Sequence, residues 1–273
     1  DAYAQALKRT SRLWQLRQIG DGLAEADSEE DCRKLIDRAN LLFTERSSVR
    51  RVTMEQAYMD FFKRRDGMKP PEYLHWPFPD LEEQLHVGAG DMVVIGGYSS
   101  AGKTAFALQI AFRIARDKRV GFFSYETDAD KLADRTIACQ TQTSFTRIMT
   151  NRLTYEDYGR IKETRQHMTA PALELLETPG MPVSGISAYA LAHHYDVILV
   201  DYLQKIPAPK DGRYFSEFER VSRVSSDLQQ LGRTTGKTVI ALSQLSRAEK
   251  RKDGSIPPPT MSSLRQSGQI EQD

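Results

Sequence analysis

Cysteines and long apolar runs are scarce in this chain of 273 residues, and each scarcity excludes a class of protein. The two cysteines, Cys32 and Cys139, lie far apart and lack the spacing of a metal site, which argues against a disulfide scaffold or a zinc centre. No apolar run approaches the roughly 18 residues that a membrane-spanning helix needs. No signal peptide is visible, although the chain begins at Asp1 and not at a methionine. We therefore expect a cytoplasmic protein with reduced thiols and no membrane partner.

An excess of charge of one sign is also missing. The sequence has 38 lysines and arginines against 37 aspartates and glutamates, for a formal net charge of +1. Bulk charge therefore does not indicate a nucleic-acid partner, and any surface of that kind must be local. The composition, 40% hydrophobic and 27% charged, is that of an ordinary globular protein with one large or two smaller domains.

One octapeptide is the most informative part of the chain. Residues 97–104 read G-Y-S-S-A-G-K-T, which matches the phosphate-binding pattern G-x-x-x-x-G-K-[ST]. Backbone N–H groups can approach a triphosphate closely where glycine carries no Cβ, and the helix that follows points its partial positive end at the phosphates. Lys103 would neutralise phosphate charge, and the hydroxyl of Thr104 would bind Mg²⁺.

The residues on either side of the octapeptide support this reading. The apolar run 91–96 predicts a buried strand that enters the loop, and residues 104–115 predict a helix that leaves it. Strand, glycine loop and helix form the arrangement that the motif requires. The alternative is an ordinary glycine turn between a strand and a helix.

The chain divides into two parts of different character. Residues 1–66 are rich in Arg, Glu, Leu and Ala and predict three helices, the second and third of them capped by Ser28 and Thr53. Three helices form a thin core, so we expect a helical arm that packs on the main domain or on a neighbouring subunit. The alternative is a free-standing bundle. The main domain is predicted to occupy residues 67–273, beginning with a proline-containing linker.

In the main domain, apolar strands alternate with helices. The predicted strands occupy residues 91–96, 120–124, 197–201 and 238–243. The predicted helices between them include residues 104–115, 130–140, 154–167 and 216–235. Near-continuous apolar strands separated by helices indicate an α/β fold with a mostly parallel sheet covered by helices. Trp14 and Trp76 are expected in the core, with an interface position as the alternative.

Three polar side chains follow predicted strands and complete a candidate site. Hydrolysis needs one carboxylate for Mg²⁺ and another group to activate water. Asp201 ends a strand, where ligands lie in open α/β sheets, and is the predicted Mg²⁺ ligand with Thr104, with an aspartate that only caps the next turn as the alternative. Glu126 is the predicted base, with a solvated surface glutamate as the alternative. Gln244 could sense the γ-phosphate or orient water, with a loop amide as the alternative.

Taken together, these segments resemble the ATPase domain of DnaB-type replicative DNA helicases, which are hexameric rings with a RecA-like fold. The stretches that carry the resemblance are 96–104 (GGYSSAGKT), 123–126 (FSYE) with Arg135 nine positions on, 197–204 (VILVDYLQ), 241–247 (ALSQLSR) and 264–273 (LRQSGQIEQD). The helical segment 1–66 is similar to the linker region of that family. The resemblance therefore covers nearly the whole chain.

The resemblance implies a role for each residue of the candidate site. Nucleotide binding would involve Gly97, Ser99, Ser100, Ala101, Gly102, Lys103, Thr104 and Arg135. Catalysis would depend on Glu126, Lys103 and Gln244, and Mg²⁺ would bind at Thr104 and Asp201. Single-stranded DNA would be held by a channel-lining loop formed by Arg265, Gln266, Ser267 and Gly268.

The function that the resemblance implies is that of an ATP-dependent helicase motor which moves on single-stranded DNA as a homohexamer, with ATP and Mg²⁺ as cofactors. Primase and a helicase loader would be further partners. The alternatives are a RecA-like ATPase that assembles without unwinding, a non-hydrolysing scaffold ring, and a small-molecule kinase.

The sequence departs from the family in three places. Tyr98–Ala101 replaces the usual Arg-Pro-Ser-Met, and Gln266 replaces a glutamate. The third departure is the end of the chain at Asp273, beyond which the family has further strands and an arginine finger. We expect the phosphate loop to be unaffected by its substitution, because backbone groups hold the phosphates there.

Overall fold

The computed structural model describes residues 2–44, 52–65, 72–169, 171–207, 216–245 and 257–258. The chain forms two compact units, which divide between residues 70 and 71. The described residues of the first unit form three helices: α1 (Ala2–Glu25), α2 (Glu29–Thr44) and α3 (Met54–Arg65). No described helix combines the length and the hydropathy needed to cross a membrane.

The second unit contains an alternation of strands and helices. Its described strands are β1 (Met92–Gly97), β2 (Val120–Ser124), β3 (Leu173–Glu177), β4 (Val197–Asp201) and β5 (Thr238–Gln244). Its described helices are α4 (Pro79–Gln84), α5 (Lys103–Ile114), α6 (Ala129–Thr141), α7 (Phe145–Met149), α8 (Tyr155–Glu163), α9 (Arg165–Thr169), α10 (Val183–Ala192) and α11 (Glu217–Thr235). A single 3-10 turn (Leu203–Lys205) follows β4.

In the first unit, α2 and α3 start where the sequence predicts. The hydroxyl of Ser28 accepts a hydrogen bond from the backbone N–H of Asp31 at 3.1 Å, and that of Thr53 accepts one from Gln56 at 3.2 Å. These bonds satisfy N–H groups that have no partner within their helix. Ile19 is buried in this unit, whereas Trp14 is 63% exposed, so the expectation of a core position for Trp14 is wrong.

The sheet of the second unit is parallel throughout, with strand order β1-β5-β4-β2-β3. The carboxyl ends of all five strands therefore lie at one edge, which is where ligands bind in open α/β sheets. This arrangement confirms the predicted fold class.

Alternate strand residues face two separate cores. Phe122 and Leu199 pack with α5 on one face, and Phe123 and Ile198 pack with α10 and α11 on the other. Both faces are apolar because helices cover both. Trp76 is buried in the first of these cores, as expected, and its indole N–H donates to the carbonyl of Leu85 at 2.9 Å.

Two predictions of secondary structure are wrong. The strand β3 was not predicted; two of its five residues are glutamates, which an edge strand tolerates because one of its sides is open. The single helix predicted at residues 154–167 is two helices, α8 and α9. At their junction the Thr164 hydroxyl donates to the carbonyls of Arg160 and Ile161, a side-chain bond that competes with regular helix geometry.

Candidate nucleotide-binding site

The sheet brings together four of the segments that the sequence singles out. In the β2–β4 register Ser124 lies opposite Asp201, and in the β1–β5 register Gly97 lies opposite Gln244. Segments separated by as many as 147 positions in the sequence therefore end side by side at the carboxyl edge of the sheet. The predicted site residues at these strand ends lie in one region because of the strand order.

The phosphate loop connects β1 to α5 through backbone conformations that its sequence must allow. Gly102 precedes α5 with φ +88°, a left-handed conformation that glycine adopts without strain. Ser100 also has a positive φ, of 63°. A Cβ on Gly97 would lie 3.0 Å from Cγ of Lys103, closer than the side chain can accept without moving. The two glycines of the motif therefore serve different purposes: Gly102 allows the conformation, and Gly97 leaves space for the side chain of Lys103.

Lys103 is hydrogen-bonded within the loop itself. Its Nζ donates to the carbonyl oxygens of Gly97 and Tyr98, each at 2.9 Å. Burial lowers the pKa of Lys103, and the nearby carboxylates of Asp201 and Glu126 oppose that shift. The ammonium group thus lies at the mouth of the loop, held by weak carbonyl partners that a phosphate could replace.

Thr104 and Asp201 form the second contact of the loop. The hydroxyl of Thr104 donates to Oδ2 of Asp201 at 2.8 Å. Asp201 is 5% exposed, and burial raises the pKa of its carboxyl group, an effect that this hydrogen bond opposes. A carboxylate and a hydroxyl of this kind, side by side beneath a phosphate loop, are the two protein ligands that Mg²⁺ takes in phosphate-loop enzymes.

An open cavity of about 420 Å³ adjoins these groups, which is within the usual range for a small-molecule site. The predicted site residues that line it are Ser99, Ser100, Gly102, Lys103, Thr104, Glu126, Arg135, Asp201 and Gln244. Gly97 and Ala101 do not line it; Gly97 ends β1, and the N–H of Ala101 donates to the carbonyl of Tyr98 at 3.2 Å. The remaining lining residues, which sequence reasoning did not single out, are Ala105, Thr127 and Tyr202.

Arg135 lies on α6, and its side chain lines the cavity. Its Nε is buried and has no hydrogen-bond partner among the described residues. Its guanidinium carbon lies 5.4 Å from the ring centre of Phe145, the first residue of α7, in a cation–π contact. A buried donor without a partner costs free energy, so this arginine is suited to an anionic ligand in the cavity.

Glu126 lies in the turn after β2, and that turn is fixed by Ser124. The Ser124 hydroxyl donates to the carbonyl of Thr127 at 2.6 Å and accepts from the Thr127 N–H at 3.1 Å. The carboxylate of Glu126 is exposed towards the cavity. Burial, followed by the negative charge of Glu126, raises the pKa of Tyr202 to about 12. The turn therefore presents a carboxylate to whatever the cavity binds.

Gln244 ends β5, and a second glutamine fixes its backbone. The N–H of Gln244 donates to Oε1 of Gln204, and Nε2 of Gln204 donates to the carbonyl of Gln244, both at 3.1 Å. Gln204 itself does not line the cavity. In the sequence, Gln204 is only the last residue of the matching stretch 197–204, and no role was predicted for it. Its position three residues after the end of β4 could have indicated a place near the site.

The described residues fit Mg²⁺ with a bound triphosphate better than they fit a metal held by protein alone. Within the described ranges no group of three or more His, Cys, Asp or Glu could hold a metal ion. Mg²⁺ takes few protein ligands and completes its shell with phosphate oxygens and water, so Thr104 and Asp201 suffice. The predicted DNA-binding residues Arg265, Gln266, Ser267 and Gly268 lie outside the described residues.

Comparison with known sequences places this geometry among helicases. The sequence profile described as "DnaB-like helicase C terminal domain" matches residues 76–273. The replicative DNA helicase DnaC of Bacillus subtilis (strain 168) is 36% identical over 193 residues, covering 67% of this chain and 41% of that protein. The replicative DNA helicase DnaB of Geobacillus stearothermophilus is 35% identical over 190 residues, with the same shares. The chain thus spans about two fifths of the length of these curated relatives.

Solved structures share the fold. One, described as "The Structure Of A DnaB-Like Replicative Helicase And Its Interactions With Primase", has a TM-score of 0.78 at 23% identity and covers 98% of this chain and 64% of its own. Another, described as an ATPase domain, has a TM-score of 0.71 at 26% identity and covers 81% of each chain. Both confirm the RecA-like fold that the resemblance implies.

Proposed function

The chain belongs to the DnaB-like helicase C-terminal domain family, and from that membership we propose that it is the ATP-hydrolysing motor of a replicative DNA helicase. The observation that carries the proposal is the cavity at the carboxyl edge of the sheet. There a lysine, a hydroxyl and two carboxylates meet beside a phosphate loop, although they come from separate segments of the chain. A scaffold ring with a structural nucleotide would need the loop but would not need Glu126.

In this proposal ATP lies in the cavity with its phosphates on the loop Gly97–Thr104. Lys103 exchanges its two carbonyl partners for phosphate oxygens, a stronger charge-assisted contact. Arg135 gains a partner for its buried Nε. Thr104 and Asp201 would hold Mg²⁺, which would neutralise phosphate charge. Ser99, Ser100 and Gly102 would contribute backbone N–H groups, and that of Ala101 would first have to leave the carbonyl of Tyr98.

Glu126 is the proposed base for the attacking water. The carboxylate is exposed to the cavity from a turn that Ser124 fixes, so it is positioned before ATP binds. General-base catalysis of this kind contributes about 10²–10⁴-fold to a rate. Gln244, at the end of β5, would contact the γ-phosphate or orient the water.

The partners are proposed on family membership. The curated relatives are named replicative DNA helicases, so we propose single-stranded DNA as the track, held by Arg265, Gln266, Ser267 and Gly268, and a homohexamer as the working assembly. Primase, with which a solved DnaB-like replicative helicase interacts, and a loader are the further proposed partners. The proposed location is the cytoplasm, where bacterial DNA is replicated. The proposed linker is the helical segment 1–66.

The test is ATP hydrolysis by the chain with and without single-stranded DNA, over protein concentrations that span assembly, followed by strand displacement on a forked duplex. We expect DNA-stimulated hydrolysis that rises cooperatively with protein concentration, together with displacement. Hydrolysis without displacement would favour a RecA-like ATPase that assembles on DNA. Nucleotide binding without hydrolysis, both in this chain and in one extended to the length of the relatives, would contradict the motor.

A further inference from the structure

The pairing of β4 with β5 ends before β5 does. The last pair in that register is Val200 with Ala241, whereas β5 continues to Gln244. On its other side β5 stays paired with β1 up to the pair of Gly97 and Gln244. The last three residues of β5 therefore have a strand partner on one side only, at the point where β5 enters the nucleotide cavity.

The carboxamide of Gln204 takes the place of the missing strand. It lies in the 3-10 turn that follows β4, and it both donates to and accepts from the backbone of Gln244 at 3.1 Å. Its Nε2 also donates to the hydroxyl of Ser243 at 3.1 Å, and Ser243 is fully buried. A side-chain amide carries both a donor and an acceptor, so it can reproduce the two-way exchange of a paired strand residue.

These contacts continue to the phosphate loop. Beyond Gln244, the N–H of Leu245 donates to the carbonyl of Gly97 at 3.0 Å, and this is the carbonyl that also accepts from Lys103. The peptide that carries Gln244 is thus held on the β4 side by Gln204 and on the β1 side by the start of the phosphate loop. Without Gln204, the β4 side of that peptide would have no polar partner among the described residues.

We propose that Gln204 is a positioning residue for Gln244, and that it sets how well the site distinguishes ATP from ADP. The inference rests on the proposed function, because it takes Gln244 as the contact to the γ-phosphate. A side chain that must meet one phosphate needs its backbone fixed to within about half an ångström. ADP lacks that phosphate, so the loss of Gln204 should weaken triphosphate binding selectively.

Gln204→Glu and Gln204→Ala test the inference in the 273-residue chain with Mg²⁺ present. The glutamate keeps an acceptor for the Gln244 N–H but loses both donors, and the alanine removes all three bonds. Gln230→Glu makes the same change on the exposed face of α11 and is the matched control. The readouts are the affinities for ADP and for a non-hydrolysable ATP analogue, and the hydrogen exchange of the Gln244 amide.

We expect both Gln204 variants to bind ADP within about twofold of the unmodified chain and to lose roughly five- to tenfold in preference for the triphosphate, which is the size of the one hydrogen bond that Gln244 would make to the γ-phosphate. The Gln244 amide should exchange faster, most of all in the alanine variant. An unchanged preference would overturn the inference. Parallel loss of both affinities with a lower melting temperature would also overturn it, because that result indicates a structural role only. An unmodified chain that binds no nucleotide would refute the proposed function instead.

Discussion

The two walls of the nucleotide cavity are built differently. The loop wall, made of Gly97–Thr104 and Asp201, is closed by its own hydrogen bonds: Lys103 bonds to two loop carbonyls, and Thr104 bonds to Asp201. The far wall, made of Glu126, Arg135 and Gln244, has an exposed carboxylate and a buried arginine Nε that has no hydrogen-bond partner among the described residues. The side chains of Ser124 and Gln204 fix the backbone that carries Glu126 and Gln244.

The difference bears on the free energy of binding. On the loop wall a ligand must replace hydrogen bonds that already exist, so the gain is a difference between two sets of contacts. On the far wall a ligand would supply a partner to the buried Nε of Arg135. The loop wall nevertheless carries the cation and the Mg²⁺ ligands for the phosphates, so we expect its loss to remove binding and turnover together. Loss of the base on the far wall should lower turnover and leave most of the binding.

Lys103→Ala should have the largest effect. Removal of the ammonium leaves the phosphate charge without its cation, so we expect ATP hydrolysis to fall at least about 10³-fold and nucleotide binding to fall with it. Steady-state hydrolysis and equilibrium binding measure the two effects, with the exposed Lys131→Ala as control. If the variant hydrolysed ATP at the unmodified rate with an unchanged melting temperature, the loop wall would not be part of the nucleotide site.

Glu126→Gln should separate binding from turnover. The amide keeps the shape of the carboxylate but cannot accept a proton from water, so we expect hydrolysis to fall roughly 10²–10³-fold. ATP affinity should stay within about threefold, because on the far wall a base that contacts water contributes little to binding. Glu163→Gln, on the exposed side of α8, is the matched control. Equal losses of affinity and rate would mean that the two walls act alike.

Asp201→Asn should remove a proposed Mg²⁺ ligand and increase the stability of the fold. Burial raises the pKa of Asp201 above its value in the unfolded chain, so ionisation in the fold lowers stability at neutral pH, and the penalty disappears as pH falls through the raised pKa. We expect the nucleotide-free variant to be more stable by on the order of 1 kcal/mol near neutral pH. The gain should shrink towards zero below roughly pH 4, which is the ordinary range of aspartate.

Denaturant unfolding at the two pH values, with the exposed Asp130→Asn as control, measures this change in stability. A variant that is less stable than the unmodified chain at neutral pH would contradict it. That result would mean that the hydrogen bond from Thr104 contributes more than the buried charge costs.

Phe145→Leu should have the smallest effect. It removes the ring beneath Arg135 but keeps an apolar side chain, so we expect about a two- to fivefold loss in ATP affinity, the size of one cation–π contact. Phe145→Tyr keeps a ring face and should restore the affinity. If the leucine and tyrosine variants bind ATP equally well, the guanidinium does not depend on the ring.

Much of the site was predictable because the loop wall is encoded locally. Its phosphate-binding residues lie within one eight-residue pattern, from Gly97 to Thr104. Asp201 ends an uninterrupted apolar strand, which also marks it in the sequence. The predicted nucleotide-binding, metal and catalytic roles themselves stay predictions until nucleotide is bound. The confirmed part is the fold, since apolar strands alternating with helices do form a parallel sheet.

The missed features depend on tertiary contacts. Phe145 and Gln204 act through contacts with Arg135 and with the backbone of Gln244, and no spacing in the sequence marks those pairs. The strand β3 was missed because an edge position allows glutamates that break the apolar pattern. Trp14 was expected in a core and is exposed, because helices in the first unit bury little of their surface.

The sheet registers also have a mechanical consequence. The strands that lead to Glu126 and Asp201 are paired to their ends, and so are those that lead to the phosphate loop and Gln244. The pairing between these two halves stops earlier, at Val200 and Ala241. A small shear along that seam would move the base and the metal ligand as one body against the phosphate loop.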